Sequence, residues 1–185
     1  MSEARKKHAA NVQANLMTLF GGCCFWCLRP VAPWGTSPFS DPLAPTRDHL
    51  IPVAWGGRGE QWNLVLCCSA CNSRRGKELV PPADWECEEV CRVSRGHARA
   101  ALVWTIAQEQ HRRWRGGWFK RQKLYHRTST HLDALCERMG MTLPKLSRWV
   151  RGHGVRAALT APTPSLPSPA HDAPTADPSG DPTTH

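Results

Sequence analysis

Four residues along one stretch of the chain carry oxygen and imidazole donors in an order that suits phosphodiester chemistry. Asp48 and His49 sit in TRDHLIP (46–52), Asn63 follows in QWNLVL, and Asn72 comes directly after a cysteine. Asp and Asn offer hard oxygen ligands suited to Mg²⁺ or Mn²⁺. A neutral imidazole with a pKa near ~6.5 can take a proton from water close to neutral pH. Together these are the parts required for metal-assisted hydrolysis of a phosphodiester. Each has an ordinary reading alone: Asp48-His49 as a surface pair, the asparagines as turn residues or caps. Their order, beside two cysteine turns, favours the chemical reading.

Those turns are Cys24-Phe25-Trp26-Cys27 and Cys68-Ser69-Ala70-Cys71. Each puts two thiolates on one tight turn, and two such knuckles supply the four sulfurs of a tetrahedral zinc site. Cys23 and Cys67 are alternative ligands one position upstream, but only Cys24 and Cys68 keep the C-x-x-C spacing. With four thiolates no position stays open for substrate, so the expected role is structural: zinc ties the first knuckle to the segment carrying Asn72. The cysteine count of nine is odd, which favours metal over disulfides and points to a reducing, cytoplasmic compartment. Cys87, Cys91 and Cys136 read as packing residues, with a second metal site at Cys87-x-x-x-Cys91 as the alternative.

The order C-x-x-C, D-H-x-x-P, N-L and C-x-x-C-N-x-x-x-G-K over residues 24–77 resembles the His-Asn-His (HNH) endonuclease family, in its zinc-stapled branch. The resemblance implies a ββα-metal motif, two short antiparallel strands packed with one helix around a single divalent ion. It makes His49 the general base that activates the attacking water and Asp48 and Asn72 the ligands of a catalytic Mg²⁺ or Mn²⁺. Asn63 is implied to bond the His49 backbone or ring and fix its orientation. Arg74, Arg75 and Lys77 are implied to contact phosphates beside the scissile bond. The third position of the name is Asn72 here, not histidine, which shifts the ligand set toward oxygen.

These residues need elements to hold them. Residues 1–20 read as an N-terminal helix, broken by Gly21-Gly22, and 21–90 as the zinc-stapled nuclease domain. Within it, 46–53 reads as a strand, Trp62 to Leu66 as a short apolar segment, and Ser73 to Leu79 as a helix stopped by Pro81-Pro82. Residues 91–127 read as a basic helical linker: Arg92, Arg95, Arg99, Arg112, Arg113, Arg115, Lys120, Arg121, Lys123 and Arg127 face only Glu109. Trp104, Trp114 and Trp118 among them are assigned to packing.

Residues 128–153 form a second unit. Leu132, Leu135 and Cys136 give one helical face, Gly140 a turn, and Leu146, Trp149 and Val150 another face, which resembles a helix-turn-helix. On that reading the helix from Leu143 to Arg151 enters the major groove with Lys145, Ser147 and Arg148 exposed to DNA. Residues 154–185, rich in proline and poor in large apolar side chains, read as a disordered tail.

The chain carries 24 Lys+Arg against 15 Asp+Glu, a formal +9, which favours a polyanionic partner. No apolar run approaches a membrane span, and residues 1–20 lack a signal core. The expected fold class is α+β, a small ββα-metal nuclease domain with a four-cysteine zinc site followed by a mostly helical region. The expected function is metal-dependent cleavage or nicking of double-stranded DNA, and family habit suggests a phage-like or mobile-element context. The competing reading is a non-catalytic zinc and helix-turn-helix DNA-binding regulator, and RNA cleavage is a third. Oligomeric state is not legible in the sequence.

Overall fold

A computed structural model describes residues 2–38, 40–79, 85–113 and 123–161. The architecture is α+β: among the described residues, one two-stranded antiparallel sheet and seven helices. Helix α1 (Glu3–Phe20) buries Leu16 and Phe20 near its end. There Gly21 takes φ 61°, and Gly22 donates its N–H to the Met17 carbonyl at 2.9 Å, closing the helix with a left-handed cap. The chain is thereby turned into the first cysteine knuckle.

Strand β1 (Pro45–His49) pairs with β2 (Leu64–Cys68) so that His49 faces Leu64 and Asp48 faces Val65. The sequence pattern extended this strand to 53, but pairing stops at His49. Beyond it the side chain of Asn63 takes both backbone groups of Ile51, replacing the ladder, and Val53–Trp55 winds into a short 3₁₀ turn. The loop closes over Gly57, where an added Cβ would lie 1.7 Å from the Ile51 carbonyl oxygen. Only glycine allows that approach.

Helix α2 (Ser69–Arg75) starts directly after Cys68, earlier than the expected Ser73, and ends at Gly76, which has φ 55°. It packs against both strands. Asn72 therefore lies inside the helix and Lys77 beyond its end.

Helices α3 (Cys87–Val93) and α4 (Arg95–Arg113) follow, then α5 (Leu124–Arg138), α6 (Leu143–His153) and α7 (Val155–Thr160). Within the segment expected as a basic linker, the helix Arg95–Arg113 is instead a core element. Helix α4 packs on α1, α3, α5, α6, α7 and the turn before β2, and is buried from Gly96 through Trp104. Its small residues explain this: Ala98, Ala100 and Ala101 admit neighbours on several sides, and an added Cβ at Gly96 would meet the Leu19 carbonyl oxygen at 2.6 Å. The charge count concealed a core helix. Among its arginines, Arg112 and Arg113 pair with Glu109 on the surface.

Helices α5 and α6 are joined through Gly140 at φ 61°, and both pack on α4 rather than standing apart. The tail expected from 154 is corrected at its start. Helix α7 buries Val155 and Ala158, and the Arg156 N–H is accepted by the Glu88 carboxylate on α3 at 3.3 Å. Residues 162–185, and with them most of the expected tail, lie outside the described residues, as do Trp114, Arg115, Trp118, Lys120 and Arg121. No helix among those described is long and apolar enough to cross a membrane.

Candidate metal centre and active site

The first knuckle is shaped by backbone bonds. The Leu28 N–H donates to the Cys24 carbonyl and the Cys24 N–H to the Arg29 carbonyl, each at 2.9 Å, with Leu28 held at φ 60°. The Phe25 N–H donates to the Leu66 carbonyl at 2.9 Å, which seats this turn on β2. The second knuckle spans the end of β2 and the first turn of α2.

The sulfurs of Cys24, Cys27, Cys68 and Cys71 all lie within 4.8 Å of one another, and those of Cys27 and Cys68 are 3.9 Å apart. A tetrahedron of Zn–S bonds of ~2.3 Å has edges of roughly 3.8 Å, so the four fit a zinc ion. Cys23 and Cys67 turn their thiols to the Gly21 and Cys68 carbonyls. Burial pushes the Cys68 and Cys71 thiols up. Arg29 lies beside Cys27, and Arg74 Nη2 is 3.9 Å from the Cys71 sulfur, so two cations border the cluster. Buried His97 links the cluster to α4, its Nε2 3.5 Å from the Cys24 carbonyl oxygen and its Nδ1 2.8 Å from Ser94 Oγ. Burial pulls this imidazole down to about 4. Nothing in the sequence singled it out.

Side chains alternate along β1. Thr46 and Asp48 face inward, and Arg47 and His49 lie on the more exposed face. Both Asp48 oxygens accept from Arg75 Nη1, at 2.8 and 2.7 Å, and one also accepts from Trp26 Nε1 at 3.0 Å. Arg75 stacks on the Trp26 and Trp104 rings, 4.8 and 5.5 Å from their centroids, and donates to the Leu50 carbonyl. Only 8 % exposed, it is no surface phosphate contact, and that expectation is corrected. Because α2 begins at Ser69, its last turn presents Arg75 to β1.

Asn63 is wholly buried and does not bond the His49 ring or backbone as expected. It accepts from the Ile51 N–H at 2.8 Å and donates to the carbonyls of Ile51 and Arg58 at 3.1 and 2.9 Å. With Leu50 N–H donating to the Asn63 carbonyl at 2.9 Å, it braces the segment directly after His49. His49 itself is half-buried, and burial lowers its pKa; Asp48 opposes this, while Arg75 and Arg47 add to it. The shift favours the neutral imidazole, the form able to accept a proton.

Asn72 donates to Thr46 Oγ1 at 3.2 Å and borders a cleft of about 510 Å³ with Gln13, Trp34 and Arg47. His49 is not among the residues lining that cleft. For a hard cation the donor set is incomplete as arranged: Asn72 offers a carbonyl oxygen, but the Asp48 oxygens are taken. The four cysteines are the group of His, Cys, Asp or Glu donors gathered for a metal among the described residues.

On α6, Lys145 and Arg148 are exposed as expected, but Ser147 is corrected: it is buried, and its hydroxyl donates to the Leu143 carbonyl at 2.7 Å. Ser147 shares the stripe of Leu143, Leu146 and Val150 that faces the bundle.

An HNH endonuclease family model matches residues 39–86. The match takes in Asp48, His49, Asn63, the second knuckle and Asn72, but not the first knuckle, which reaches the site through the fold. No curated protein matches the chain, and no solved structure does.

Proposed function

We propose, from the HNH endonuclease match over residues 39–86, that this segment hydrolyses phosphodiester bonds of double-stranded DNA with His49 as the general base. The observation that carries this reading is His49 at the end of β1, its imidazole shifted toward the neutral form by burial while Asn63 anchors the backbone just beyond it. His49 takes a proton from the attacking water as its oxygen bonds to phosphorus, the bond from phosphorus to the 3′ oxygen breaks, and that oxygen takes a proton from solvent, leaving 5′-phosphate and 3′-hydroxyl ends.

Asn72 offers an oxygen to a Mg²⁺ or Mn²⁺ ion, which would supply charge stabilisation at a phosphate oxygen, while Asp48, the second ligand that the resemblance implies, is engaged by Arg75. Zinc on the four cysteines holds the first knuckle to β2 and α2. Exposed Arg47, Arg58, Arg74 and Lys77 are the cations of this segment, among the described residues, available to flanking phosphates. Helices α5 and α6 act as a helix-turn-helix for target placement, with Lys145 and Arg148 toward DNA.

The engaged carboxylate of Asp48 favours one other reading, a DNA-binding regulator without catalysis. Relaxation of supercoiled plasmid by the wild type and His49→Ala, each with Mg²⁺, Mn²⁺ or chelator, separates the two. Metal-dependent nicking by the wild type alone is the expected result. Binding of DNA with no nicking under any condition gives the regulator, and equal nicking by both proteins removes His49 from the reaction.

A further inference from the structure

At the start of α4 lies a pocket of about 350 Å³, bordered by Arg95 and Arg99 on α4, Gln61 and Trp62 before β2, and Leu143 at the start of α6. Arg99 is 7 % exposed. Its Nε has no hydrogen-bond partner among the described residues, and its Nη2 makes one long bond, 3.4 Å to the Leu64 carbonyl. No carboxylate of the described residues lines the pocket. Arg75, also buried near the sheet, has Asp48; Arg99 has no carboxylate partner among the described residues. A guanidinium taken out of water without a counter-charge is strongly disfavoured, and burial alone pulls its pKa to about 10.

Arg95 stands one turn before Arg99 on the same helical face, exposed and without an ion pair among the described residues. Both arginines line this one pocket, which suits an oxyanion, and the N-terminal end of α4 adds its partial positive charge. Trp62 and Leu143 give the pocket an apolar wall, beside which the attraction between charges is stronger than in open water.

We propose that this pocket is an oxyanion site of the phosphate class, with Arg99 as its buried ligand and Arg95 as its outer one. The Leu64 carbonyl that Arg99 touches belongs to the residue paired with His49, so an anion held here sits behind the strand end that carries the base. Two sources share the chemistry: free phosphate and a backbone phosphate of bound DNA.

The test needs no nuclease activity. Thermal unfolding of the zinc-loaded full chain is compared in inorganic phosphate and in chloride at equal ionic strength, for wild type, Arg95→Gln and Arg99→Met. The salt dependence of binding to a short duplex is measured for the same three. Phosphate is expected to raise the wild-type Tm, to raise that of Arg95→Gln less, and to leave Arg99→Met unmoved, the last melting higher in chloride because an unpaired buried charge is gone. If instead phosphate is without effect but both variants lower the salt slope by about one each, the occupant is the duplex backbone. The proposal is overturned if phosphate stabilises all three equally or not at all while the salt slope stays the same in both variants.

Discussion

Arg75 donates to both carboxylate oxygens of Asp48 while its guanidinium lies over the rings of Trp26 and Trp104, and so joins α2, β1, the first zinc knuckle and α4 through one ion pair. The pair has side-chain exposures of 5 % and 7 %, so breaking it leaves a charge in a dry interior.

Arg75→Met is therefore expected to destabilise the fold by about 3–5 kcal/mol in urea unfolding, and the double substitution Asp48→Leu with Arg75→Met to recover most of the loss. The single variant frees Asp48, so Mn²⁺ should raise its Tm by more than it raises that of the wild type. An Arg75→Met protein as stable as wild type would mean the pair is not closed in solution.

Zinc removal is expected to unfold the segment around the knuckles, since the metal's binding free energy is folding free energy there. Metal analysis should give about one zinc per chain in the wild type, in Cys23→Ala and in Cys67→Ala, and much less in Cys24→Ser and Cys68→Ser. Zinc loss in Cys67→Ala would move the ligand assignment upstream.

The depressed pKa of His49 sets the pH dependence. A base must be unprotonated, so nicking should rise with pH through a midpoint below the ordinary histidine value of ~6.5 and be level by neutrality. Arg47 contributes to the depression from the exposed face of β1. Arg47→Gln should therefore move the acidic limb upward, by less than burial itself accounts for. The sign also holds for stability: a His49 with a lowered folded pKa takes up its proton less readily folded than unfolded, so stability falls as pH drops below ~6.5. An acidic limb unmoved by Arg47→Gln would count against His49 as the titrating base.

Asn63→Ala removes three hydrogen bonds in a site with no exposure and leaves the Ile51 backbone unpaired. The expected loss is about 2–3 kcal/mol in urea unfolding, with a fall in nicking rate beyond what the unfolded fraction explains, because the backbone after His49 is no longer fixed. Unchanged kinetics per folded molecule would make Asn63 a purely structural residue.

The zinc ligands were legible in the sequence because C-x-x-C is a local device: covalent spacing within one turn places two sulfurs together whatever the rest of the chain does. The Asp48-His49 step and the two asparagines stand in an order that is likewise local, and the family match takes them in. What only the tertiary structure decided is which way those side chains face and what meets them there. The phase of α2, set by its start at Ser69, turned Arg75 onto Asp48. The stripe on α6 took Ser147 inward. The basic stretch became a core helix because its alanines accept neighbours from α1, α3, α5 and α6. Each of these depends on partners distant in sequence, and neither charge counts nor periodicity records them.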